Sequence, residues 1–326
     1  MTSHPIHIFN GFRTPYGGSE QEALLLRQNL SQHACVQAWA SSSRADSALL
    51  AAQGIKRIEV LKRQAPQGGT YIFVGSHWRN KLWPYLIPKP SRLIYVYNTF
   101  HPKLLELTQN MPRLLGWPKA EFVVISEYQK QRLGIEAEIH PSPIDLDTFT
   151  PATERPPQPL RIGRMSRDTS DKHSVEDAAI YQQLAEMGVD VWLQGATCIQ
   201  GRLSGHPNIK VMPAGKVPAA QFLQGLDILY YRTGNHVETF GRVVFEAMAC
   251  GIPVVCHRRG GYVEHIQHQH NGLLFDTTEE AMTQLRQLIS SPELRSELGE
   301  NGRHYVQQLF APEATQERLK FYLRYQ

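Results

Sequence analysis

Two carboxylates, Glu238 and Glu246, stand with seven residues between them in the stretch His236 to Val255, HVETFGRVVFEAMACGIPVV. Between them, Thr239, Phe240 and Gly241 form a corner that opens a helix. The first N–H groups of a helix have no internal partner, and the helix dipole is positive there. Such a corner suits an anion, and Gly241 lets one approach the backbone closely. Arg242 is a cation that opposes the dipole in the first turn, and its i, i+4 pairing with Glu246 has the weaker orientation. A bound phosphate relieves the first conflict. Glu246, inside the helix, can accept both adjacent hydroxyls of a ribose. Glu238 stands before the helix, beside the anion site, where a sugar attached to a diphosphate would lie. Thr239, Phe240, Gly241, Arg242, Val243 and Glu246 are therefore the expected contacts of a nucleotide sugar, with Glu238 at the sugar.

The same stretch shows what must position these groups. Val243, Val244, Ala247 and Met248 recur at helical spacing and predict one buried face. Gly251 and Pro253 end the helix, and Val254 and Val255 start a buried strand. Strands and helices alternate along the rest of the chain, which predicts parallel sheets covered on both faces. Strands are expected at Ile6–Asn10, Cys35–Trp39, Tyr71–Val74, Leu93–Tyr97 and Phe122–Ile125. A second set is expected at Leu160–Gly163, Val189–Gln194, Ile209–Val211 and Ile228–Tyr231. Ser19 and Ser126 are expected to cap the helices that follow the first and fifth strands. Helices are also expected at Ser174–Met187, Glu279–Ser290, Pro292–Phe310 and Pro312–Tyr325.

A chain of 326 residues suits two domains. The segment TPATERPPQP at 150–159 reads as the linker. The expected fold is α/β, with two Rossmann-like, doubly wound domains facing a cleft. Residues 1–150 with 312–326 would form one domain and 158–311 the other. Loops after strands meet ligands in such folds, which brings Gly17-Gly18 of the first domain and Glu238 of the second to the cleft. No run of 18 apolar residues predicts a membrane span, and the early strand PIHIF leaves no room for a signal peptide. Cys35, Cys198, Cys250 and Cys256 lack metal-like spacing and are expected to be reduced. The net charge is +4, concentrated in residues 1–150, with 16 Lys/Arg against 11 Asp/Glu. Such a basic half suits an anionic acceptor, a membrane surface or nucleic acid, and from His77 to Arg92 the cations Arg79, Lys81, Lys89 and Arg92 interleave with Trp78, Trp83 and Tyr85, as suits a headgroup interface; no nucleic-acid-binding signature is present.

The block ETFGRVVFEAMACGIPVV resembles the Glu-x7-Glu signature of retaining glycosyltransferases with the GT-B architecture, particularly family 4. The resemblance extends over nearly the whole chain. Gly17-Gly18 resembles that family's glycine loop. Ile162-Gly163-Arg164 with Lys172 resembles its basic phosphate-binding pair, and HPSPIDLDTF at His140–Phe149 its interdomain segment. Gly260-Gly261 with Glu264, and Asn271-Gly272, resemble the loop and turn after the signature. The resemblance implies that the last helix crosses back onto the first domain. It implies that Glu238 contacts sugar hydroxyls, Glu246 holds the ribose, and Arg164 and Lys172 carry the diphosphate, with Arg167 as a substitute for Lys172. It also implies retention by front-side attack. A histidine is expected near the strand ends of the first domain. Asn98 occupies its usual place, and His101 and His77 are the candidates, each either a site or a solvated histidine.

The leading reading is a cytoplasmic retaining glycosyltransferase, with peripheral contact at the inner membrane face allowed. It would move a sugar from a nucleoside-diphosphate sugar to a hydroxyl of a glycan or lipid-linked acceptor. Its expected catalytic residues are Glu238, Arg164, Lys172 and His101, with Gly17 and Gly18 added to the donor contacts. No metal and no other cofactor is expected; Asp168, Asp171 and His173 read as a polar loop. Two alternatives remain: a sugar-nucleotide epimerase or hydrolase of the same fold, and, from another class, a non-catalytic anion-binding module using its basic half on nucleic acid or membrane.

Overall fold

Segments such as IHIF, TYIFV and RLIYVY carry too few polar residues to alternate, as strands buried on both faces require. In the computed structural model, which describes residues 4–75, 83–153 and 159–324, they become the centre of a parallel sheet. Its strands are β1 (Ile6–Asn10), β2 (Val36–Ala40), β3 (Lys56–Arg57), β4 (Thr70–Val74), β5 (Arg92–Tyr97), β6 (Ala120–Val124) and β7 (Glu138–Ile139). They lie in the order β3-β2-β1-β4-β5-β6-β7. A second parallel sheet contains β8 (Arg161–Met165), β9 (Asp190–Gln194), β10 (Ile209–Met212), β11 (Ile228–Tyr231), β12 (Val254–His257) and β13 (Leu273–Phe275). Its order is β10-β9-β8-β11-β12-β13. Both orders start in the middle, run outward to one edge and then reverse to the other side. Each sheet is thus doubly wound, with a switch point between β1 and β4 or between β8 and β11.

The helices are α1 (Gly18–Leu30), α2 (Ser47–Gln53), α3 (Pro102–Leu114), α4 (Glu127–Leu133), α5 (Asp177–Glu186), α6 (Ala219–Gln224), α7 (Arg242–Ala249), α8 (Thr278–Ser290), α9 (Pro292–Leu309) and α10 (Pro312–Leu323). None of them is long and apolar enough to cross a membrane. The chain divides into one unit of residues 1–143 with 312–326 and another of residues 144–311. The boundary falls before the expected 150, because Ile144–Pro151 packs with the second unit. There Gln224 donates to the Thr150 carbonyl at 2.9 Å. α10 groups with the first unit. The linker residues 154–158 lie outside the described residues.

The core of the first unit holds a row of aromatic rings set by strand register. Phe9 pairs with Phe73, Phe73 with Tyr95, and Tyr95 with Phe122. Their rings stack at 4.5, 5.0 and 5.8 Å between centroids. Arg92, expected on a membrane-facing surface, is instead 5% exposed. Its guanidinium donates to both oxygens of Glu121 at 2.7 and 2.8 Å and to the carbonyls of Phe321 and Tyr322 at 2.7 and 3.1 Å. Next to it, His140 Nδ1 lies 3.1 Å from the Tyr322 hydroxyl. These contacts dock α10. Ser126 caps α4 by accepting from Gln129 N at 3.0 Å, as its type and position predict. Ser19 does not cap α1; the N-cap is Gly17, which makes no side-chain cap bond.

Candidate active site

In the second unit, the loops after β8 and β11 leave the sheet on either side of its switch point, where doubly wound folds bind ligands. The first loop carries Lys172 on a 3-10 turn, Ser170–Lys172. The second carries Glu238. The two side chains meet, with Lys172 Nζ donating to Glu238 Oε1 at 2.6 Å. The Tyr231 hydroxyl, at the end of β11, donates to the same oxygen at 2.6 Å. Lys172 and Glu238 are both buried. Burial alone would raise the Glu238 carboxyl, but the Lys172 ammonium and His236 outweigh it and hold it well below the usual carboxylate range. Burial also draws the Lys172 ammonium down, against the pull of Glu238. Burial and the adjacent carboxylate keep the Tyr231 hydroxyl protonated, so it remains a donor.

Arg164 lies behind this pair, on β8 itself. The family resemblance assigns it to the diphosphate; the structure leaves it 1% exposed. Its guanidinium donates to the carbonyls of Lys172 and Arg232, to Ser166 Oγ at 3.1 Å and to His173 Nδ1 at 3.3 Å. The His173 Nε2 side faces the Gly195 carbonyl at 2.8 Å, so the ring is neutral with its proton on Nε2. Burial, with Arg164 next to it, lowers its pKa to about 4. Arg164 therefore positions the turn that presents Lys172. A further buried network supports it from below. Asp177 Oδ1 accepts from Arg232 Nε at 2.7 Å and from Tyr230 Oη at 2.8 Å.

After Glu238 the chain turns through Gly241, whose φ is +89°. A side chain there would be strained in that backbone region, and its Cβ would meet Tyr262 Cδ1 at 2.6 Å. The αL corner aims the first turn of α7. Arg242 Nη2 lies 3.3 Å from Glu246 Oε1, so the expected i, i+4 pair forms. Glu246 is buried, which pushes its carboxyl up while Arg242 opposes. The helix ends with Gly251 N donating to Met248 O at 2.9 Å and Ile252 N to Ala247 O at 3.0 Å. That is a Schellman closure with Gly251 at C′. The predicted single buried face is corrected: α7 is buried from Val244 through Ala249, and Val243 is only half-buried. Phe240 is 1% exposed and stacks on Phe245 at 4.1 Å. Its ring packs the corner from inside. Thr239 is half-buried at the same corner.

Gly17, Gly18 and His101 belong to the first unit. The Glu20 side chain folds over Gly17, with Oε2 2.0 Å from where a Cβ would lie. That carboxylate sits at the α1 N-terminus, accepting from Arg13 N at 3.3 Å and Ser19 Oγ at 3.1 Å. It already complements the dipole end expected to receive a phosphate. His101 is exposed at the N-cap of α3. Asn98 donates to Glu22 at 2.8 Å. His77 lies outside the described residues. Among the described residues, no group of three His, Cys, Asp or Glu is arranged to hold a metal. Asp168 instead accepts from Thr197 Oγ1 at 2.5 Å and Cys198 N at 2.9 Å.

Three contributors were not singled out from the sequence: Tyr231, Tyr262 and His236. Tyr231 had one available signal, a strand-end tyrosine ahead of a carboxylate loop.

Comparison with known proteins bears on the family and the fold. Residues 207–305 match the family described as glycosyl transferases group 1. N-acetyl-alpha-D-glucosaminyl L-malate synthase of Bacillus anthracis is 44% identical over 79 residues, covering 23% of this chain and 20% of that protein's length. The GDP-mannose-dependent alpha-(1-6)-phosphatidylinositol monomannoside mannosyltransferase of Mycolicibacterium smegmatis is 33% identical over 100 residues, 29% of this chain and 26% of its own. The matched part thus spans about a fifth to a quarter of these relatives. The crystal structure of Anabaena Alr3699/HepE in complex with UDP and glucose superposes with a TM-score of 0.76 at 16% identity, over 99% of this chain and 100% of that one. Residues 207–305 thus match the group 1 glycosyltransferase family, and the two α/β units have the GT-B fold.

Proposed function

We propose that the chain is a retaining glycosyltransferase that moves a sugar from a nucleoside-diphosphate sugar to a hydroxyl acceptor. The observation that carries this reading is the Lys172–Glu238 pair just before the αL corner of α7, with Glu246 inside that helix. The positive end of α7 at the corner receives the diphosphate, Lys172 adds the fixed positive charge, and Glu246 takes the ribose. The charge on the leaving diphosphate grows in the transition state, so these contacts strengthen as the bond breaks. The departing phosphate accepts the acceptor's proton. UDP and UDP-glucose are bound in the HepE structures, which supports a nucleotide-sugar donor for this chain. The test is turnover of UDP-, GDP- and ADP-sugars with and without hydroxyl acceptors. Transfer is expected with one of them, and it should survive EDTA because the helix N–H groups and Lys172 supply the positive field. Hydrolysis unchanged by any acceptor would replace transfer with a hydrolase reading.

Glu246→Ala is expected to weaken nucleoside-diphosphate binding by about 1.5–3 kcal/mol, through lost hydrogen bonds to a charged group. Calorimetry with UDP, GDP and ADP measures this, and unchanged affinity for all three would refute the ribose role.

The proposed acceptor is a glycan or lipid-linked hydroxyl compound bound by the first unit, with peripheral membrane contact. Exposed Leu61, Leu86 and Leu114 support that contact. Each adjoins a residue of one aromatic core face, namely Val60, Ile87 or Leu115. The exposed cations Lys89, Arg113 and Lys119 belong to the same unit. Arg79, Lys81 and Trp78, expected to share this role, lie outside the described residues. Co-sedimentation with anionic vesicles that is lost when the three leucines become serine is the expected result; equal pelleting of both proteins would sink it.

A further inference from the structure

The two oxygens of Glu238 are held unequally. Oε1 accepts from both Lys172 and Tyr231 at 2.6 Å. Oε2 has His236 Nε2 at 3.5 Å. On its other side the imidazole places Nδ1 3.4 Å from Asp171 Oδ2. His236 is itself fixed by the backbone. Its N–H donates to the Asp171 carbonyl at 3.0 Å, and its carbonyl accepts from Thr233 Oγ1 at 2.7 Å. Asp171 thus meets both the main chain and the ring of His236. Gly234 allows this approach, because a Cβ there would lie 2.4 Å from the His173 carbonyl. The His236 side chain is 29% exposed, so the ring lies at the edge of the site and is not sealed inside it.

The terminal torsion of a glutamate is broad, and rotation about it swings both carboxylate oxygens together. A second hold, on Oε2, therefore limits this rotation further than the contacts on Oε1 do alone. A carboxylate that must accept hydroxyls at fixed positions loses rate when its orientation is left free. We propose that His236, as the imidazolium that donates from both ring nitrogens, is a positioning residue for Glu238: it holds Oε2 while Lys172 and Tyr231 hold Oε1, and Asp171 holds the ring in place. This rests on the sugar-handling role of Glu238 given above. The relay predicts which replacements work. A side chain that still donates to Oε2 restores part of the effect, and an apolar one does not. Asp171 acts only through the imidazole, so its removal has no further effect once the imidazole is gone.

The experiment compares wild type with His236→Leu, His236→Gln, Asp171→Asn and the Leu/Asn double variant. Each is assayed for hydrolysis of UDP-glucose, GDP-mannose and ADP-glucose, and for calorimetric binding of UDP, GDP and ADP. The expected result is a kcat loss of about tenfold in His236→Leu, the size of one hydrogen bond. His236→Gln recovers part of it, the double variant equals His236→Leu, and nucleotide affinity is unchanged throughout. Equal kcat in wild type and His236→Leu overturns the inference while leaving the glycosyltransferase reading intact. A parallel loss of kcat and nucleotide affinity also overturns it, because that marks a general disturbance of the loop. Absence of both turnover and nucleotide binding in wild type overturns the reading and this inference with it.

Discussion

Glu238→Gln is expected to lower turnover about 100-fold, as for loss of about 3 kcal/mol of charge-assisted hydrogen bonding. Affinity for the bare nucleoside diphosphate should change by less than about threefold. The amide keeps the shape of the carboxylate and removes its charge. Glu238 precedes α7, and the nucleotide contacts proposed on α7 are left in place. Lys172 loses its counter-ion, and as a buried ammonium it can release its proton and lower the strain on the fold. Steady-state kinetics beside calorimetry with the bare nucleotide separates the effects. Equal losses in both would assign Glu238 to nucleotide binding.

Lys172→Met should be the most destabilising single change in the site, by about 3–5 kcal/mol at neutral pH, because it leaves a buried carboxylate without its cation. The pH dependence has a defined sign. In wild type the Glu238 carboxyl is held below its unfolded value, so its contribution is present at neutral pH and fades as the pH falls through the acid range. Without Lys172, the desolvation that opposes ionisation meets less opposition, and the folded-state carboxyl rises. Its penalty is then largest at neutral pH and shrinks as acid protonates it. Urea unfolding at several pH values should therefore show the two proteins converging on acidification. Lys172→Met with Glu238→Gln should recover part of the loss at pH 7. A stability gap that stays constant with pH would show that the ion pair does not cause it.

Much of this arrangement was legible in the chain because its signals are local. The 3.6 period, Gly251 and Pro253 fix where α7 ends, and Ser126 marks the start of α4. The site carboxylates share one short stretch, so their nearness follows from the chain itself. The burial of Arg164 is not legible, for a physical reason. An arginine on a strand can point to solvent or into the core, and burial became tolerable only because carbonyls of Lys172 and Arg232 arrive from elsewhere. The same holds for Arg92, whose partners at Phe321 and Tyr322 are more than 200 residues away. Ser19 looked like an N-cap, but the nearby Glu20 carboxylate takes the helix end instead. The strand-register row from Phe9 to Phe122 is invisible in sequence, because it depends on which residues of parallel strands come level. Short edge strands β3 and β7, of two residues each, carry too little pattern to be recognised.

The docking of α10 on Arg92 sets an order on how the molecule is made. The unit that contains the chain's beginning also needs residues near its end, whereas the second unit is contiguous from 144 to 311. As the polypeptide emerges from the ribosome, the later-made unit has all its parts first. The earlier-made unit must wait with its β5 arginine lacking the Phe321 and Tyr322 carbonyls that complete its burial. Completion therefore runs opposite to synthesis, and the last helix acts as the closing strap of the first-made unit.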